Sequence, residues 1–246
     1  MARPQLQLLG TGDAFGSGGR FQTCLLLRGS GGALLIDCGA SSLIAMKRAG
    51  VDPSEIASVL LTHLHGDHFG GLPFLILDGQ FSGRERPLVI AGPPGVRERT
   101  EAAMEALFPG SAGVTRRFAI DFMELQDREA AAVGPVGVTA FAVEHASGAP
   151  SYALRVEYDG KVVAYSGDTE WTESLVDAAS GVDVFVCEAY FFEKNIKYHL
   201  DYRTLRANRR RLDCGRLILV HMSQEMLSHV DEIDIEVAED GQIIAL

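Results

Sequence analysis

Residues 60–71 read LLTHLHGDHFGG: an apolar run opens directly onto three histidines and an aspartate within positions 63–68. Neutral imidazoles and a carboxylate are suitable donors for zinc, which takes nitrogen and oxygen at about 2.0–2.2 Å. A tight turn beyond a buried strand can aim His63, His65, Asp67 and His68 into one small volume. The chain has seven histidines in all, so this clustering favours a metal site over a solvated histidine-rich loop. Gly66, Gly70 and Gly71 are read as positions needing backbone conformations closed to bulkier residues. Three further candidates each stand where a β-type run ends: His145 after Val138–Val143, Asp168 after Val162–Ser166 and His221 after Leu217–Val220. A lone histidine is usually a core or surface residue, but matching positions for three residues reverse that expectation.

The elements that must carry these side chains alternate along the chain. Strand-like runs fall at Gln5–Leu9, Cys24–Arg28, Ala33–Asp37, Ser58–Leu61, Leu88–Ala91, Val136–Ala142, Tyr152–Tyr158, Lys161–Ser166, Val184–Glu188 and Arg216–Val220. Asp159-Gly160 is a strong hairpin turn between two of them. Helical patterns occupy Ser42–Ala49, Pro94–Leu107, Thr172–Ala179, Asp201–Arg211 and Ser223–His229. Ser42 and Thr172 are expected N-caps, and Gly50 is expected to close the first helix in the left-handed conformation. Hairpin-linked strands mixed with helices do not fit a purely parallel doubly wound sheet; mixed sheets covered by helices do.

Composition narrows the field. At 246 residues and 47% apolar, the chain can bury a substantial core, and no linker interrupts the span from His63 to His221, so residues 1–246 are expected to form one domain. No secretory signal and no run of about 18 apolar residues is evident, which implies a cytoplasmic protein that does not span a membrane. Cys24, Cys38, Cys187 and Cys214 lack CxxC spacing and read as reduced thiols. A formal charge of −11 opposes a general nucleic-acid surface. The stretch Arg203, Arg206, Arg209, Arg210 and Arg211 could meet an anionic substrate, although such a run is most often the solvated face of a helix. Gly10-Thr11-Gly12 does not complete a dinucleotide-binding GxGxxG, and a strand rather than a helix follows it.

The chain resembles the metallo-β-lactamase superfamily, whose HxHxDH signature His63, His65, Asp67 and His68 match. Leu9-Gly10-Thr11-Gly12, Arg20, Thr23 and Leu35-Ile36-Asp37-Cys38-Gly39 are similar to the family's opening strands, and Ser166-Gly167-Asp168-Thr169 to its bridging-aspartate motif. The resemblance covers nearly the whole chain. It implies an αββα sandwich of two mixed β-sheets flanked by helices. It also implies two Zn²⁺, with Mn²⁺ an alternative: His63, His65 and His145 would hold one ion, Asp67, His68 and His221 the other, and Asp168 would bridge them. Two such ions lower the pKa of a bridging water towards about 7, so a metal-bridging hydroxide would attack, with Asp67 both ligand and orienting base.

A poor leaving group needs a proton as well as a nucleophile. His199, 22 positions before His221, is the candidate general acid; its placement resembles the catalytic histidine of the phosphodiesterase branch. That branch includes the tRNA 3′-end endonuclease Z and a cyclic-phosphate phosphodiesterase. The tRNA enzymes carry a long gripping arm where only 22 residues separate His145 from Asp168, so specific tRNA binding is not expected. The cysteine-rich segment of the phosphonate-pathway enzyme is also missing. The leading expectation is therefore a phosphodiesterase for a small or cyclic anionic phosphodiester, working as a possible homodimer. The alternative is a carbonyl-ester, thioester, lactone or lactam hydrolase that would not need His199. A non-catalytic metal-stabilised module is a third reading. Glu188, Trp171, Tyr190, Phe191 and Phe192 follow strand ends and either wall the pocket or pack against neighbouring loops.

Overall fold

The computed structural model describes residues 3–246. The first half of the chain runs β1 (Gln5–Gly10), β2 (Cys24–Gly29), β3 (Gly32–Ile36), α1 (Ser42–Arg48), β4 (Ile56–Leu60), α2 (Gly66–Phe69), α3 (Leu72–Ser82), β5 (Leu88–Gly92), α4 (Val96–Leu107) and β6 (Ile120–Glu124). The second half runs β7 (Ala130–Val133), β8 (Val136–Val143), β9 (Ser151–Tyr158), β10 (Lys161–Tyr165), α5 (Ser174–Ala178), β11 (Val182–Glu188), α6 (Tyr202–Asn208), β12 (Cys214–Val220), α7 (Gln224–Leu227), β13 (Glu236–Val237) and β14 (Gln242–Ala245). The strands form two seven-stranded sheets, ordered β14-β1-β2-β3-β4-β5-β6 and β13-β12-β11-β10-β9-β8-β7. In both, an antiparallel stretch passes into parallel strands: β3 to β6 in the first sheet and β10 to β13 in the second. The last strand returns to pair with β1, Gln5 opposite Ala245.

The period of two along each strand divides its side chains between two cores. Leu6, Leu8, Leu25, Leu27, Leu34 and Ile36 meet Leu154, Val156, Val163, Val184 and Ile218 between the sheets. Leu9, Leu26 and Leu35 point the other way, onto Ala45, Met46, Leu75 and Ile76 of α1 and α3. On the far side Phe185, Leu217 and Leu219 receive Leu175, Leu205 and Met226 of α5, α6 and α7. Because both faces are covered, runs such as Cys24-Leu25-Leu26-Leu27 are apolar throughout. This is the αββα sandwich of mixed sheets that the sequence implied.

The expected turn at Asp159-Gly160 is present, with φ of 50° and 74° closing a two-residue hairpin of the primed type. Gly50 has φ 69° just past α1, as expected. The caps differ from expectation. Ser41, not Ser42, precedes α1, and Ser42 is buried in its first turn; the Ser41 hydroxyl is occupied by the Gln22 amide at 2.8 Å. Thr172 stands two residues before α5, where its hydroxyl accepts from Ser174 N at 3.4 Å. Asp201 caps α6, accepting from Thr204 N at 2.8 Å. The glycines of the histidine turn also serve a different purpose. Gly66, Gly70 and Gly71 are absent from the residues with positive φ. A Cβ at Gly71 would instead lie 2.3 Å from Gly39 O, and one at Gly39 2.1 Å from Asp67 O. Close approach of the two loops, not unusual dihedral angles, excludes side chains at Gly39 and Gly71; Gly70 packs on the Gly66 carbonyl of its own turn, and Gly66 faces open space. Among the described residues no helix is long and apolar enough to cross a membrane.

Candidate metal centre

Strands of both sheets end along one edge of the sandwich, and the functional candidates lie just past those ends. Asp37 follows β3, Thr62 to His68 follow β4, His145 follows β8, Asp168 follows β10, and His221 follows β12. Strand termini fixed by two cores hold such side chains rigidly while the loops stay accessible. Asp37 and His221 have left-handed backbones, with φ of 59° and 57°, an unusual conformation for non-glycine residues that aims their side chains inward.

All seven expected ligands come together, and their ligand atoms fall into two groups. One is His63, His65 and His145; the other is Asp67, His68, Asp168 and His221. Asp168 reaches towards both: its Oδ2 is 3.2 Å from His221 Nε2, 3.9 Å from His63 Nε2 and 4.0 Å from His145 Nε2, and its Oδ1 is 3.3 Å from His68 Nε2. Asp67 Oδ2 lies 3.2 Å from His68 Nε2 and 3.9 Å from His221 Nε2. His145 Nε2 is 3.0 Å from His65 Nδ1.

The outer faces of four imidazoles fix which nitrogen is bare. Thr62 Oγ1 donates to Asp37 Oδ2 at 2.8 Å, so it can only accept from His63 Nδ1 at 3.1 Å. Thr23 Oγ1 donates to the Gly12 carbonyl at 3.1 Å and accepts from His221 Nδ1 at 3.3 Å. His145 Nδ1 donates to the Tyr198 carbonyl at 2.9 Å, and His68 Nδ1 to Asp37 Oδ2 at 2.6 Å. With Nδ1 carrying the proton in each, Nε2 is left as an inward-facing donor atom, the arrangement that orients histidines around metals.

Charge and burial fit a cation. His63 Nε2, His68 Nε2 and Asp168 Oδ1 are buried without hydrogen-bond partners, a costly condition for polar atoms unless an ion satisfies them. Burial opposes charge on His68 and His221, yet Asp168 and, at His68, also Asp37 and Asp67 outweigh it and raise both proton affinities. Conversely, burial favours a neutral Asp168, but His221 and His68 pull its pKa well below the usual carboxylate range. The carboxylates thus demand positive charge at the cluster. Burial lowers the pKa of His63, His65 and His145, leaving them neutral, the form in which imidazole binds metal. The donor set fits divalent cations.

His199 stands over this cluster, with a ring nitrogen within 4.8 Å of ligand atoms of His145 and Asp168. Its Nδ1 pairs with Glu188 Oε2 at 3.0 Å, and its ring stacks on Tyr190 at 4.7 Å. Glu188 is the last residue of β11 and wholly buried. Burial and the neighbouring Asp168 raise its proton affinity well above the ordinary range, while burial lowers that of His199. Of the aromatic residues left open by the sequence, only Tyr190 stacks on a candidate catalytic ring. Phe191 packs edge-on against Tyr190, Phe192 stacks between Tyr202 and His229, and Trp171 lies beneath Arg211. The arginine run behaves as a solvated face: Arg203 pairs with Glu193, Arg206 with Asp234 and Arg211 with Glu173.

Sequence reading missed Asp37 as a brace and the acceptors Thr23, Thr62 and Tyr198 O. Asp37 stood in a quoted motif but carried no separate signal, and a main-chain carbonyl has none.

Comparison with known proteins agrees with this geometry. The family model described as Anti-Pycsar protein Apyc1 matches residues 4–244. A ribonuclease Z from Agathobacter rectalis is 30% identical over 233 residues, covering 76% of this chain and 75% of the relative. Among solved structures, human tRNase Z, short form, superposes with a TM-score of 0.78 at 23% identity, covering 98% of each chain. A diphosphatase from the PhnP family superposes at 0.77 with 18% identity, covering 99% of this chain and 98% of the other. The chain belongs to the Anti-Pycsar protein Apyc1 family and, with its ribonuclease Z relatives, to the phosphodiesterase branch of the metal-dependent hydrolases that share the metallo-β-lactamase fold.

Proposed function

We propose that the chain hydrolyses a small or cyclic phosphodiester with two bound divalent ions, zinc or manganese. His63, His65 and His145 would hold one, Asp67, His68 and His221 the other, and Asp168, which lies near donors of both groups, would serve both. When bound, such ions acidify a water between them and neutralise charge developing on the attacked phosphoryl group. Asp67, whose Oδ2 lies 3.2 Å from His68 Nε2 and 3.9 Å from His221 Nε2, would also orient the attacking water. Glu188, whose proton affinity is raised, carries the proton of its bond to His199 Nδ1, so the imidazole keeps its own on Nε2; Nε2 gives that proton to the departing oxygen as Nδ1 takes the one from Glu188.

The observation that carries this reading is the His199–Glu188 pair over the cluster. An alkoxide-like leaving group requires such a donor, whereas a thioester or an activated lactam does not. Relatives named as ribonucleases point to the same bond type. The interval between His145 and Asp168 supports a small substrate: it is taken up by β9, its two-residue turn and β10, which leaves no arm for tRNA.

A panel of purified-protein assays tests the proposal: cyclic nucleotides, a model phosphodiester, a thioester, a lactone and a lactam, each with added Zn²⁺ or Mn²⁺. Phosphodiester turnover is expected to exceed the others; turnover confined to the carbonyl substrates would overturn the proposal. Asp37→Ala is expected to weaken metal binding about 10–100-fold by releasing His68 Nδ1 and Thr62 together. Competition against a chromophoric chelator measures that loss directly.

A further inference from the structure

We propose that Tyr198 is a positioning residue for the metal ligand His145, and that its strained turn ties the ion held there to the loop carrying the catalytic acid. Ile196 and His199 form an antiparallel bridge, so Lys197 and Tyr198 are the two central residues of a tight turn. Tyr198 has φ 74°, and Lys197 is not among the positive-φ residues. This is the third position of a type II turn, where glycine or asparagine is the usual occupant. A tyrosine there is strained, and strain of this kind persists only where the surroundings fix it.

Both main-chain groups of Tyr198 are used. Its carbonyl accepts from His145 Nδ1 at 2.9 Å, and its N–H donates to Glu170 Oε2 at 3.2 Å. Glu170 N in turn donates to the Glu144 carbonyl at 3.2 Å, next to His145. The ring of Tyr198 stands edge-on to His145 at 6.2 Å, with Lys197 Nζ 4.6 Å from its centre. The residue that fixes the tautomer of His145 is therefore bonded directly to His199. An ion drawing on His145 Nε2 strengthens the Nδ1–H donation to Tyr198 O, which holds the turn and places the His199 ring. Losing that ion loosens the loop that supplies the proton. The inference requires an ion at His145 and does not depend on which bond the enzyme breaks.

Two backbone variants and one measurement on the unaltered chain test it. Tyr198→Gly keeps the carbonyl and adopts positive φ freely, so metal affinity is expected within about 2-fold of the parent. Tyr198→Pro fixes φ near −65° and swings the carbonyl away; one of the two ions is expected to bind about 10–100-fold more weakly. Glu170→Ala, which removes the acceptor of the Tyr198 N–H while leaving the carbonyl in place, serves as the control for the N–H that proline also removes. In the unaltered protein, zinc is expected to slow hydrogen exchange at the amides of residues 196–200. Equal loss of affinity in the glycine and proline variants would assign the effect to the ring and overturn the proposal. So would parental affinity in a folded Tyr198→Pro, or exchange at 196–200 indifferent to zinc. The exchange result stands even if the proline variant fails to fold, and neither readout depends on the substrate.

Discussion

His199→Ala is expected to lower phosphodiester turnover by about 10²–10⁴-fold, about 3–5 kcal/mol of barrier at 1.36 kcal/mol per tenfold, while the protein keeps its full metal complement. The ring meets the requirements of a proton donor. Glu188 holds Nδ1, Tyr190 stacks on one face, and the cluster lies on the inner side. The effect should depend on the substrate. A phosphodiester with a nitrophenolate leaving group needs little protonation and should suffer far less than an alkyl or cyclic ester. Steady-state assays on both ester types, with metal content measured on the same samples, separate a lost acid from a lost ion. Equal loss on the two ester types would remove proton delivery as the role of His199.

Chelating the metal is expected to abolish turnover and lower the melting temperature, with both restored by added Zn²⁺. Ligand held at 100 times its dissociation constant stabilises the native state by about 2.7 kcal/mol, and a chain of this size shifts by about 2–4 °C per kcal/mol, so about 5–10 °C per site is expected. The size of the shift should grow with pH. Ions must displace the protons that Asp168 holds on His68 and His221, whose pKa values are raised. Without metal, the stability these two protonated rings contribute is complete below the ordinary histidine value of 6.5 and is lost as pH rises through their elevated values. Metal binding strengthens over the same range because its ligands must be deprotonated. Thermal melts with and without Zn²⁺ at pH 6 and pH 8.5 measure this. A larger shift at pH 6 would contradict the assigned protonation.

The parts of the molecule that sequence revealed are those whose chemistry is local. His63 to His68 are visible because four donors share one turn. His145, Asp168 and His221 are visible because each ends a strongly apolar strand. All ten expected strands are present, to within two residues at most ends. The α3 helix was missed because Leu72-Pro73-Phe74-Leu75-Ile76-Leu77 is apolar nearly all round and shows no helical period. The strands β6 and β7 escaped because Ile120–Glu124 carries two acidic residues, Asp121 and Glu124, at the sheet edge and Ala130–Val133 is mostly alanine. The two closing strands near the C-terminus are short. The braces around the candidate ligands were hardest to read: threonine hydroxyls and a main-chain carbonyl become informative only when folding sets them against a particular Nδ1.

Anomalous scattering from crystals grown with Zn²⁺ tests the central assignment most directly. The account predicts two peaks per chain, one against His63, His65 and His145 and one against Asp67, His68 and His221, with Asp168 touching both. A single peak, or zinc bound away from these side chains, would contradict it.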